Sequence, residues 1–341
     1  MGTKRRSRLN PARVSGWSLA LLLSVVAGCA SGPDPQARPG WVDGGEPADY
    51  PREAYLTGTG RADSLAAARD RARAELARSF RVRVESESRD VTRLEAGELE
   101  QEAESRIRTR SEEVLTGVTI AETWRAPEEG AYHALAVLDR NRAALRLRRE
   151  IGDLDRAIRR HVEAAEAARD SLERVAALGR ALERQRAREG LQAHLRVVGA
   201  TGRGVDSPWS TAELAARHRE ALAAVTLTPV ATGDEAARMD AALRGALGNA
   251  GFTTSADGEY TLRAELVLTD RGRREGWHWY EGRLGLSLAD AAGEVRGRAT
   301  LSERAAATDE PTARQRLLDK LAERLEAEVR PRVLEMVTGG E

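Results

Sequence analysis

The chain has 341 residues, and 54 Lys and Arg balance 54 Asp and Glu, so its formal net charge at pH 7 is +0. This length suits two modest domains with connecting segments, and the charge balance argues against a nucleic-acid-binding protein. Aromatic residues make up only 4% of the chain, so we expect cores of leucine, valine and alanine. The single cysteine, Cys29, excludes an intramolecular disulfide and a multi-thiolate metal site.

The first 28 residues have the layout of a secretory signal peptide. Basic residues without any acidic residue precede the apolar run Trp17–Val26. That run is too short to cross a hydrocarbon core, which needs about 20 residues of helix. It ends in Val26, Ala27, Gly28 and Cys29, which resemble the lipobox of bacterial lipoproteins. We therefore predict a signal peptide at residues 1–28 and a lipid on Cys29.

The lipid predicts where the protein resides. Several acyl chains on Cys29 would form an effectively permanent membrane anchor, since each buried CH₂ contributes about 0.8 kcal/mol. Ala30 and Ser31 follow the cysteine instead of an aspartate, which favours the outer membrane, with the folded part facing the periplasm. Both general secretion and twin-arginine export stay open, because Arg5 and Arg6 are paired but Arg8 stands where the twin-arginine motif prefers an aromatic residue.

Residues 29–50 are predicted to be a flexible tether, because Pro and Gly are frequent after the cysteine. Residues 51–150 then show alternating strand and helix signals. In the last predicted strand, residues 132–138, apolar side chains occupy both the odd and the even positions. This predicts a central strand with both faces covered. Strands are predicted at residues 55–60 and 81–87, and each is followed by a helix, at residues 65–80 and 92–115 respectively. A hairpin of two strands follows, at residues 118–124 and 132–138.

Several of these segments carry a family resemblance. They include Ala54–Ala62, the Ala- and Arg-rich helix Ala66–Phe80, Leu115–Trp124 and Tyr132–Arg140. Together they resemble the twenty-kilodalton Lpp-type outer-membrane lipoprotein family, over residues 41 to about 155. The resemblance implies a small α/β domain on a lipid tether in the envelope of a double-membraned bacterium, without an established enzymatic activity. It does not extend to the remaining, larger part of the chain.

The remaining chain is predicted to contain a helical connector and a second domain. Residues 151–224 are predicted to be largely helical, and the apolar stripe of the helix is rich in alanine and glycine. Such a stripe suits close packing against one other helix, for example in a hairpin. Residues 225–341 show the order β-α-β-β-β-α, with an antiparallel meander and a last helix that Pro331 kinks or ends. The predicted fold is therefore α/β of the α+β type. It comprises two small sheet-and-helix domains, β-α-β-α-β-β-α and β-α-β-β-β-α, joined by the connector.

The sequence shows no catalytic constellation. Gly58 and Gly60 begin a dinucleotide fingerprint, but Asp63 stands in place of its third glycine, so we interpret the glycines as a strand-to-helix turn. The histidines lack metal-ligand spacing; they are His133, His161, His194, His218 and His278. We therefore expect no metal, no cofactor and no enzymatic activity.

One aromatic cluster, Trp277-His-Trp-Tyr280, is a candidate binding surface, with Trp277, Trp279 and Tyr280 as its contact residues. Period-two geometry places Trp277 and Trp279 on one strand face and His278 and Tyr280 on the other. Core packing and a binding surface both stay open for the indoles. The function predicted is that of a non-enzymatic binding or assembly component of the envelope, with envelope proteins as partners. The alternative is a lipoprotein that binds glycan or peptidoglycan, or activates a cell-wall enzyme, through this strand.

Overall fold

The computed structural model describes residues 37–92 and 109–338. The lipobox residues Val26, Ala27, Gly28 and Cys29 lie outside these ranges, as does most of the helix predicted at residues 92–115. Pro39–Glu341 form one compact unit. Helices and two sheets are mixed within it, which confirms the α+β class. The domain boundaries within this unit stay a prediction.

A three-stranded antiparallel sheet forms the first part of the unit. Strand β3 (Tyr132–Asp139) lies between β1 (Tyr55–Ala62) and β2 (Thr119–Arg125). Leu135 and Ala136, which point to opposite faces of β3, are both fully buried. The prediction of a central strand with both faces covered is confirmed.

Helix α1 (Leu65–Thr92) packs directly on the backbone of β1. A Cβ atom at Gly60 would lie 2.2 Å from the carbonyl oxygen of Ala68 and 2.3 Å from the amide nitrogen of Ala72. At Gly58 the distance to the Ala72 carbonyl oxygen would be 2.7 Å. The glycines therefore lie inside the strand, where they permit close helix packing, and the interpretation as a strand-to-helix turn is wrong.

The strand predicted at residues 81–87 is also wrong, because α1 continues through this segment. Val84 lies one helical turn after Phe80, and both side chains are buried against the sheet, whereas Val82 is 60% exposed. A strand would have placed Val82 and Val84 on the same face. The apolar stripe of the helix thus extends by one turn. Burial of Val84 on this stripe favours a helix, although the residues alternate between polar and apolar as in a strand.

Three helices cover the segment predicted as the connector, residues 151–224: α2 (Arg140–Ala167), α3 (Ser171–Val198) and α4 (Thr211–Ala224). Helix α2 begins before this segment, so the last helix predicted for the N-terminal domain and the first part of the connector are one continuous helix. Helices α2 and α3 pack on each other along their length as a hairpin, separated by a short break before Ser171. The side chain of Asp170 accepts a hydrogen bond from the backbone of α3, and that of Ser210 does the same for α4. The predicted start of α4 at a capping box and its end at Ala224 are confirmed.

Helix α3 belongs to two hydrophobic cores. Near its start, Leu172 and Val175 are buried in the core of the C-terminal sheet. Near its end, Leu191 and Leu195 are buried in the core beneath the three-stranded sheet. A helix of 28 residues is about 42 Å long. The two sheets are therefore attached to opposite ends of one helix.

A five-stranded sheet forms the C-terminal part, in the order β5-β4-β6-β7-β8. The short β5 and the long β6 are parallel to β4, and β6, β7 and β8 form the predicted antiparallel meander. The strands are β4 (Thr226–Gly233), β5 (Thr253–Thr254), β6 (Tyr260–Arg274), β7 (Trp277–Asp290) and β8 (Val295–Ala307).

Helices α5 (Ala236–Asn249) and α6 (Glu310–Thr338) pack against this sheet. Pro331 lies inside α6 and does not end it, because buried apolar residues such as Val333 and Met336 continue the contact beyond the proline. Within the described ranges, we find no helix that combines the length and the apolar character required to cross a membrane.

Candidate functional site

The candidate site lies where β6 turns into β7. Glu275 and Gly276 form the turn, and both have positive φ, 51° and 83°. Arg274 pairs with Trp277, and Gly272 pairs with Trp279 across a register shift that follows Asp270. Paired residues of antiparallel strands share a face of the sheet. This register therefore determines which side chains surround each indole.

Both indoles point outward. Trp277 is 46% exposed and Trp279 is 39% exposed. Trp279 lies between Gly272 on β6 and Ala306 on β8, and neither neighbour has a side chain larger than a methyl group. The choice between core and surface, which the sequence left open, is thus settled in favour of the surface for these two residues.

Charged side chains adjoin the indoles on the same face. Glu281 is the next outward residue of β7, and its carboxylate lies 2.8 Å from Arg271 and 3.4 Å from Arg304. The hydrogen bond from Arg271 holds the pKa of Glu281 below its usual range. We call Trp277, Trp279, Arg271, Glu281 and Arg304 the tryptophan surface. Its three ionised groups carry one net positive charge.

Tyr280 lies on the opposite face and does not contribute to this surface. Its side chain is only 8% exposed, and its hydroxyl donates a hydrogen bond to Glu310 over 2.8 Å. That hydrogen bond raises the pKa of Tyr280. The candidate surface predicted from the sequence is therefore corrected. Tyr280 packs at the margin of the sheet core because its parity along β7 is that of the buried leucines.

A polar cluster adjoins Tyr280 on the inner face. Within the described residues, Asp270, His278 and Glu310 bring one ligand atom each to within 4.8 Å of one another. Their donor types suit Zn²⁺. However, His278 Nε2 already lies 2.9 Å from Asp270 Oδ1, and Glu310 accepts the Tyr280 hydroxyl. The positive end of α6, which begins at Glu310, also disfavours a bound cation. Its hydrogen bonds connect β6 with β7 and β7 with the start of α6, and the expected absence of a metal stays a prediction.

The histidines lie on five different elements. His133 is on β3, and His278 on β7 belongs to the cluster described above. His194 is buried on α3, where its Nε2 lies 3.0 Å from the hydroxyl of Ser111. The other two are His161 on α2 and His218 on α4.

A second candidate site, an arginine-lined cavity beside β1, has no counterpart in the sequence predictions. Its volume is about 280 Å³. Arg52, Arg83 and Arg140 line it, from three segments that are distant in the sequence. Arg83 lies in the stretch for which the sequence predicted a strand, so its position beside the other two arginines was not visible from the residue pattern.

The small α/β domain with strands β1 to β3 follows a sequence that resembles a lipobox, which is the order of segments in a lipoprotein. Residues 39–139 match the family model of the LPP20 lipoprotein, which confirms the predicted resemblance of the N-terminal part. The match covers less than half of the chain.

Solved structures that are similar to the chain include the following two. A minor lipoprotein from Acinetobacter baumannii has 15% identity and a TM-score of 0.27, and the alignment covers 31% of this chain and 91% of that one. The secreted protein HP1454 from Helicobacter pylori has 16% identity and a TM-score of 0.40, with 82% and 98% covered. No curated protein matches the chain.

Proposed function

We propose that this protein is a non-enzymatic binding component of the cell envelope, anchored by lipid to the outer membrane and facing the periplasm. The lipobox ending at Cys29 and the LPP20 match at residues 39–139 support the anchored lipoprotein. Ala30 and Ser31, which follow the cysteine, support the outer membrane as its destination.

The observation that carries the binding function is the pair of outward indoles, Trp277 and Trp279. An indole side chain buries a large area while few rotatable bonds lose freedom, which is why tryptophan is enriched at binding hot spots. Burying the exposed parts of both rings would contribute on the order of 5 kcal/mol before the cost of association. The two residues stand side by side on one strand face, so a single partner surface can cover both.

An envelope protein is the partner that this surface favours. Arg271 and Arg304 flank the indoles and already share the carboxylate of Glu281. Tryptophan together with arginine is the composition typical of protein interfaces. A glycan, the alternative ligand, would also stack on the indoles, but Tyr280 is buried and does not extend the surface for it.

The double variant Trp277→Ser and Trp279→Ser is expected to reduce the recovery of cross-linked envelope proteins by at least about tenfold, because losing the pair should cost about 1.4 kcal/mol or more of binding free energy. The measurement is cross-linking in cells followed by purification of the lipoprotein. Val295→Ser is the matched control, since Val295 is 43% exposed at the other end of the same sheet. We expect this control to retain the partners.

The same variants are tested for co-sedimentation with purified sacculi. If the double variant keeps the cross-linked proteins but no longer co-sediments with sacculi, the ligand of the tryptophan surface is a glycan and not a protein. If the double variant retains both interactions, the tryptophan surface is not a binding site. Thermal unfolding of the double variant should match that of Val295→Ser, because outward indoles contribute little to the core.

Cys29→Ser is expected to abolish acylation and to remove the protein from the outer-membrane fraction, since the thiol is the atom that receives lipid in the lipobox resemblance. Density-gradient fractionation and intact-mass measurement check this result. Ser31→Ala is the control, because it keeps the cysteine and should retain both lipid mass and membrane location. A Cys29→Ser protein of wild-type mass in the outer membrane would contradict the anchor.

A further inference from the structure

The arginine-lined cavity lies in the N-terminal part of the unit, between β1, α1 and the first residue of α2. Arg140 is that first residue, Arg83 belongs to α1, and Arg52 precedes β1. Three arginines therefore line one space of about 280 Å³. The residues that line the cavity include no carboxylate.

Arg140 is held in place by the backbone of two other elements. Its Nη1 donates to the carbonyl oxygens of Val197 and Val198 over 3.0 and 3.1 Å, and its Nε donates to that of Tyr55 over 3.4 Å. These bonds use Nη1 and Nε, and within the described ranges no hydrogen bond occupies Nη2, so this atom can serve a ligand. Burial and the charge of Arg83 lower the pKa of Arg140, whereas Glu53 opposes this effect.

The other two arginines, Arg52 and Arg83, are exposed, and their guanidinium groups form no ion pair among the residues that the structure describes. The carboxylate of Glu46 accepts a hydrogen bond from the backbone amide of Arg52 over 2.7 Å, not from its side chain. Glu53 only partly offsets the effect of burial and of the Arg83 charge on Arg140. An anion in the cavity would therefore relieve the repulsion between the like charges. By contrast, Arg78 on the same helix is paired with Glu75 over 3.1 Å.

The cavity also has hydroxyl groups and an apolar wall. Thr57 and Ser79 line it next to the arginines, and the buried side chains of Leu76 and Phe80 form its wall. Its volume suits a small molecule with one charged group. Hydroxyl and guanidinium groups can both donate hydrogen bonds to the oxygens of a phosphate.

We propose that this cavity binds a phosphate monoester, with Arg52, Arg83 and Arg140 on the phosphate oxygens. A phosphate monoester carries about −1.5 to −2 charges at pH 7 and three acceptor oxygens, which three arginines match better than they match a single carboxylate. The phosphate belongs either to a lipid headgroup or to a free phosphate ester. This site is independent of the tryptophan surface.

The test titrates the full chain carrying Cys29→Ser with two soluble probes, glycerol 3-phosphate and dihexanoyl phosphatidic acid, by calorimetry. Arg83→Gln and Arg52→Gln are each expected to weaken binding about tenfold, since a charge-assisted hydrogen bond is lost. Arg78→Gln is the matched control on α1 and should bind as the parent does. Circular dichroism of each variant shows whether it is folded.

Binding of both probes with this pattern supports a phosphate site that free esters reach, and binding of the short-chain lipid alone identifies the headgroup as the source. Two results would overturn the proposal: no heat with either probe, or equal weakening by Arg83→Gln and Arg78→Gln. The second result would mean that the probes respond only to the general charge of α1. Neither result depends on Trp277 or Trp279, so failure here leaves the proposed function intact.

Discussion

Gly60→Ala is expected to destabilise the protein by about 3 kcal/mol or more, the upper end of what overpacking costs. The added Cβ would lie 2.2 Å from the Ala68 carbonyl oxygen and 2.3 Å from the Ala72 amide nitrogen. Both atoms belong to the backbone of α1, so no side chain can rotate to relieve the collision, and the whole helix must move away from β1. Urea unfolding followed by circular dichroism measures the loss.

The control for Gly60→Ala is Gly285→Ala, which also adds a methyl group inside a strand. The nearest atom to a Cβ at Gly285 is the carbonyl oxygen of Glu265, at 3.8 Å, an ordinary contact distance. We expect its free energy of unfolding to stay within about 1 kcal/mol of the parent value. Equal effects of the two substitutions would show that strand propensity, and not close helix packing, accounts for Gly58 and Gly60.

The two glycines show why a residue type can be noticed in a sequence and still be misinterpreted. Glycine is required both where φ is positive and where another backbone approaches closely. The pattern Gly58-Thr-Gly60 is compatible with both reasons, and only the position of α1 distinguishes them. Likewise, Val82 and Val84 alternate as in a strand, but Val84 also continues the three- to four-residue spacing of α1.

The outward position of the indoles could have been predicted. The buried residues of β7 share one parity, with Tyr280, Leu284 and Leu286 among them. Trp277 and Trp279 have the opposite parity, which they share with Glu281 and Arg283. Period-two geometry therefore already placed both indoles on the polar face. Tyr280 belonged to the buried set by the same argument.

The arginine cavity could not have been predicted in this way. Arg52, Arg83 and Arg140 come together only because α1 continues past Phe80 and α3 ends beside the start of α2. No local periodicity encodes those two facts. Arginines are frequent throughout the chain, so residue type alone does not distinguish these three from the solvated ones.

Arg188 in the helical connector is the second residue whose substitution is expected to reduce stability strongly. Arg188 on α3 is 1% exposed. Its Nε donates to Asp155 Oδ1 of α2 over 2.6 Å, and its Nη2 donates to the carbonyl oxygens of Val205 and Asp206 over 3.1 and 2.9 Å. One guanidinium therefore joins α2, α3 and the segment that leads to α4. A buried charge is tolerated here because it has a carboxylate and two carbonyl partners.

Arg188→Met is expected to lower the free energy of unfolding by about 3 to 5 kcal/mol, the range for a buried ion pair that loses one partner. Methionine keeps most of the apolar volume of the arginine side chain. The loss of stability therefore comes from the Asp155 carboxylate and the two carbonyl oxygens, which lose their hydrogen-bond donor. Adding Asp155→Leu should recover part of the loss, because it removes the uncompensated charge. Arg184→Met, at an exposed position of the same helix, should be nearly neutral. Equal unfolding midpoints for Arg188→Met and Arg184→Met would show that this buried arginine does not hold the connector together.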